Sequence, residues 1–152
     1  MLLRMHSGRR SSIDPASLVP PDSPLARDAQ VAARDLLTPA LRNHSSRAYA
    51  WGAATAALHR IGFDRELLYV AAMFHDTGIP SPVPDVDFTV RSAALVREFT
   101  DGHHVAADTR ELVANAIASK PAVFSSRQTS DCVVQLLPAA VTSTTEGREQ
   151  NA

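Results

Sequence analysis

The chain has 152 residues, 45% hydrophobic and 20% charged, which suits one folded domain and excludes wholesale disorder. A formal net charge of −1 argues against the broad basic face used to bind nucleic acid or an anionic membrane. One cysteine, Cys132, rules out an internal disulfide framework, and no apolar stretch reaches signal-peptide or membrane-span length, so a soluble cytoplasmic protein is expected.

Residues 1–24 are rich in proline and serine and read as a flexible lead-in, loose or draped over the surface. The apolar rhythm begins at Leu25, with Ser23 as N-cap and Pro24 at the first helical position. Thr38-Pro39 repeats that signal and opens a helix through ALRNHSSRAYAWGAATAALHR, expected to stop before Gly62. Asp64 caps RELLYVAAMFHDT, which Gly78-Ile79-Pro80 ends, and SPVPDVDF is a loop. TVRSAALVREFTDG is helical again. Asp108 and Glu111 then form a D-x-x-E capping box over TRELVANAIASK, terminated by Pro121. The expected fold is an all-α bundle of about five to six helices between mobile tails. Its domain covers 25–120, and a divergent or truncated segment covers 121–152.

Chemistry concentrates where a run as apolar as LLYVAAMF ends in His75-Asp76, since an ionised carboxylate left unpaired in low dielectric is very costly. Adjacent residues on a helix point about 100° apart, so both reach one ion only off a helix end or between two helices. The preceding helix joins this one through the short turn IGFD, and antiparallel packing sets the start of one beside the end of the other. His44 lies one turn into that preceding helix and so meets the doublet. Two imidazoles and a carboxylate suit one divalent cation, zinc, iron or manganese alike.

The blocks NHSSRAYAWG, DRELLYVAAMFHDTGI, DFTVRSAALVREFTDGH and RELVANAI, in that order, resemble the HD-domain superfamily of metal-dependent hydrolases. The form NHS-x-R-x-Y-x-W-G is similar to its cyanamide hydratase-like branch. The resemblance spans roughly residues 25–120. It implies an HD-domain helical bundle in which His44 is the first metal ligand, His75 and Asp76 are the doublet, and a later aspartate is the fourth. It further implies a small-molecule substrate and either hydration of a cyanamide-like nitrile or hydrolysis of nucleotide phosphate esters. The chain departs from the pattern late: NAIASK puts Lys120 where the family has a histidine, and the only aspartate after Asp108 is Asp131. Asp131 is either the fourth ligand or a plain N-cap. Without a fourth ligand the chain reads as a degenerate, non-catalytic helical binding module.

Around that core, Arg47 follows His44 on the same helical face and either clamps a phosphate or a developing anion, sits on the surface, or pairs with Asp76. Asn43 and Lys120 are candidate substrate contacts whose ordinary alternatives are local backbone bonding and a favourable place at a helix end. Asp76 or a loop aspartate, Asp85 or Asp87, steers the water proton, unless the loop pair simply caps turns. Tyr49, Trp51 and Tyr69 line a pocket or belong to the core. His103-His104 and His59 read as surface, and Cys132 lacks the context that activates a thiol.

Overall fold

The computed structural model describes residues 12–119. These form a short 3-10 turn, Pro15–Leu18, and five helices: α1 Pro24–Leu36, α2 Pro39–His59, α3 Arg65–Phe74, α4 Phe88–Gly102 and α5 Ala107–Ala118. There is no strand among the described residues, so the all-α expectation holds. No helix among them is long and apolar enough to cross a membrane.

Four of the five helices begin at side-chain caps that the sequence announces. The Ala26 N–H donates to Ser23 Oγ at 3.2 Å and the Leu41 N–H to Thr38 Oγ1 at 3.4 Å, each just ahead of a proline that has no N–H to lose. Asp64 accepts from the amides of Glu66 and Leu67, and Asp87 from that of Thr89. The fifth start differs from expectation. Helix α5 begins after Ala106 with no side-chain cap, Asp108 sits inside its first turn, and Glu111 reaches across to Arg97 instead of back to the cap. A bidentate guanidinium partner on α4 outcompetes a local capping box.

Helix α3 is the hub, touching α1, α2, α4 and α5. That position explains its composition, because a helix hydrophobic all round must be buried all round, and Leu67 through Phe74 are. Its neighbours approach through small side chains: Ala26, Ala29 and Ala33 on α1, and Ala48, Gly52, Ala53 and Ala56 on α2. Tyr49 of α2 packs edge-on against Tyr69 of α3 at 5.2 Å between ring centroids, while His44 and His75 stand 5.3 Å apart. The residue numbers fall on α2 as they rise on α3, so the two helices are antiparallel.

Two helix ends fall elsewhere than the glycines suggest. Helix α2 stops at His59 because Arg60, ahead of Gly62, itself takes the left-handed conformation (φ 56°). Helix α3 ends at Phe74, with His75 as its C-cap, and turns sharply through Asp76 and Thr77.

The described half of the lead-in is draped on the bundle. Leu18 packs against the core, Tyr49 Oη donates to the Val19 carbonyl at 3.2 Å, and the Arg65 guanidinium donates to the carbonyls of Ala16 and Val19. Burial pushes the Tyr69 hydroxyl above its usual range; nearby Tyr49 adds to this and Arg34 opposes it.

Candidate metal centre

Leaving the helix is what lets neighbours in sequence converge in space. The His75 N–H still donates to Ala71 O at 3.0 Å, but the next amides close tight turns, Thr77 N to Phe74 O and Ile79 N to Asp76 O, both at 3.1 Å. The Thr77 hydroxyl donates to Phe74 O at 2.7 Å, and the Gly78 amide to Ser92 Oγ on α4 at 2.8 Å. So pinned, the chain turns the Asp76 carboxylate back toward the preceding ring. His75 Nε2 lies 3.2 Å from Asp76 Oδ2, and His44 Nε2 lies 3.4 Å from the same oxygen.

The protonation logic of His75 follows from its other nitrogen. Nδ1 stands 2.7 Å from the Ala72 carbonyl, which only accepts, so Nδ1 carries the proton. In the neutral ring Nε2 is then a bare lone pair. It is buried with no hydrogen-bond partner among the described residues, because the carboxylate oxygen 3.2 Å away is outside hydrogen-bonding geometry. With His75 1% and Asp76 5% exposed, a ring nitrogen and a carboxylate oxygen stand side by side in a buried setting that could hold a cation.

A divalent ion fits the spacing. Ligand bonds of about 2.0–2.2 Å at right to tetrahedral angles separate ligand atoms by roughly 3.0–3.5 Å, the range of the two observed distances. His44, His75 and Asp76 each offer a ligand atom, all within 4.8 Å of one another, the only such group of three among the described residues. A ring nitrogen donating to backbone while its opposite faces the ion is the usual way a protein fixes a histidine ligand. Only His44, its side chain 31% exposed, gives onto solvent. The cluster is closed on the core side and open on one.

The other candidates separate clearly. Asn43 and Arg47 are exposed on α2 beside His44. Asp87 caps α4, where the Thr89 hydroxyl and amide hold its carboxyl below the usual range, and it is not in the cluster. Asp85 is exposed with a left-handed backbone (φ 60°), a turn residue also outside the cluster. Tyr49 and Tyr69 belong to the core, and Trp51 is 57% exposed. His103 bonds Asp28 of α1 at 3.0 Å rather than pairing with His104. Lys120, Asp131 and Cys132 lie outside the described residues.

Sequence reading missed the supports. Gly78 has no freedom to spare: a Cβ there would stand 2.2 Å from the Phe88 carbonyl and 2.9 Å from Arg91 Cβ. Ser92 and Arg91 are unremarkable in a helix reading RSAALVREF, and only their position across from Gly78 gives them a part.

No protein-family model, curated protein or solved structure matches the chain, so its own geometry is what speaks for the site.

Proposed function

We propose that the chain is a metal-dependent hydrolase or hydratase of the HD-domain superfamily, acting on a small molecule at one divalent ion held by His44, His75 and Asp76. The observation that carries this reading is the bare, buried Nε2 of His75, facing a carboxylate oxygen that His44 also approaches. The ion, zinc, iron or manganese, supplies Lewis acidity and brings water into reach of deprotonation near neutral pH. The chain's own residues do the rest. The Ala72 carbonyl fixes the His75 tautomer, the pinned turn holds Asp76 where it can share a proton with incoming water, and the core side excludes bulk solvent. Arg47 and Asn43 flank the open side, where they meet substrate.

Hydration of a small nitrile is the preferred chemistry, on the strength of the NHSSRAYAWG block. Metal analysis of the purified full chain beside His75→Ala tests the centre: about one ion per wild-type chain and almost none in the variant is expected. Equal content in both, or none in either, leaves a non-catalytic helical module. Turnover of cyanamide against a panel of nucleotides by the loaded protein then separates the nitrile reading from phosphate-ester hydrolysis.

A further inference from the structure

We propose that the outward face of α2 is a docking surface for a second copy of this chain, the two α2 helices packing antiparallel about a twofold axis; the pairing does not depend on the metal reading. Arg47, Trp51, Ala54, Leu58 and Ile61 follow one another at steps of four, three, four and three residues, so they fall along one line of the helix and its end. Trp51 is 57% and Leu58 50% exposed, and Ile61, just past the helix, is exposed as well. No other described helix carries two exposed large apolar side chains; α1 has Val31 and α4 has Val90. Single apolar side chains on a surface need no explanation, whereas a row at the spacing of a helix-pairing seam does.

The rest of α2 agrees. Tyr49, Gly52, Ala53 and Ala56 commit its other side to the bundle. The helix contains no aspartate or glutamate, and between Arg47 and His59 it contains no charged side chain at all. A helix face turned to solvent is ordinarily the polar one. The seam also suits its own copy. Large and small residues alternate along it, and a twofold axis passing between Ala54 and Thr55 sets Trp51 of each copy against Leu58 of the other, with the small pair at the crossing, where the backbones come closest. Arg47, the one charge of the seam, does not oppose this. At 1.5 Å per residue its two copies lie about 22 Å apart along the pair, beyond the Debye length of about 10 Å at 0.1 M salt. Each stands instead beside the carboxyl-terminal end of the other α2, whose carbonyls favour a cation. A foreign helix would have to bring a carboxylate for Arg47; a second copy answers it with its own helix end.

Sedimentation of the full chain from about 1 μM to about 1 mM, with fluorescence emission recorded on the same samples, tests the pairing. Trp51 is the only tryptophan, so that emission reports on the seam alone. The wild type should dimerise within the range, and its emission should move to shorter wavelength as it does. Leu58→Glu should weaken association about ten-fold or more and keep the emission of an exposed ring throughout, with helical circular dichroism unchanged. Trp51→Ala should weaken association as much, while Val31→Glu, on α1, should associate as the wild type does. A wild type that stays monomeric overturns the proposal, as does a dimer that Leu58→Glu and Trp51→Ala leave intact, or one whose formation does not move the emission. A monomer whose emission shifts only on vesicles of phosphatidylglycerol and phosphatidylcholine overturns it too and gives the seam to a membrane surface. Should Leu58→Glu fail to fold, Trp51→Ala decides by sedimentation alone.

Discussion

The two ends of α3 treat their polar groups in opposite ways. At the start, Asp64 answers two amides, the Ser23 hydroxyl donates to Glu66, and Arg65 ties down the lead-in together with Tyr49. At the finish, the turn is pinned just as firmly by Thr77 and Ser92, yet a ring nitrogen with a lone pair is left against a carboxylate. The first end closes all its bonds within the chain and serves stability. The second holds in place a buried ring nitrogen without a hydrogen-bond partner among the described residues, which is what the proposed metal centre would use.

The sharpest blow to this contrast is Gly78→Ala. Its new methyl meets backbone that cannot step aside, and a loss of about 3 kcal/mol in urea unfolding is expected. Gly102→Ala, which meets nothing within 4 Å at the end of α4, should be neutral or gain up to about 0.5 kcal/mol. Equal losses at both positions would mean that the turn is not packed as described.

At the stability end, Tyr49→Phe removes the hydroxyl that serves Val19 and Arg65 and should cost about 1–2 kcal/mol with metal content unchanged. Asp76→Asn should do the reverse. An amide donates to His75 Nε2 where a carboxylate cannot, so metal-free stability should hold or rise by up to about 1 kcal/mol while the ion is lost. A variant that loses both stability and metal would make Asp76 an ordinary structural residue.

The smallest expected effect lies away from both ends. The Arg97 guanidinium holds the Glu111 carboxyl below its usual range. Because the folded value is the lower one, the pair's contribution is complete above the ordinary glutamate range and is lost as pH falls below it. Thermal midpoints of wild type and Arg97→Gln should therefore converge on acidification and differ slightly at neutral pH, the pair being exposed.

What the sequence disclosed was mostly local. Ser23-Pro24, Thr38-Pro39, Asp64 and Asp87 each solve the problem of free amides within three residues, so the helix starts could be read directly. The meeting of His44 with His75-Asp76 was legible because a short connection leaves two helices little choice but to run antiparallel. Illegible features depend on partners far along the chain. Glu111 leaves its cap for Arg97, Arg60 replaces a glycine at the end of α2, and Arg91 and Ser92 matter only through Gly78.

The carbonyl that grips the His75 ring belongs to Ala72, in the last turn of α3, so the aim of the imidazole and the winding of that turn move as one. A cation seated on Nε2 would brace the helix terminus through that bond. Amide hydrogen exchange over 75–79 should then slow on loading with a divalent ion while the protection around Asp64 stays constant.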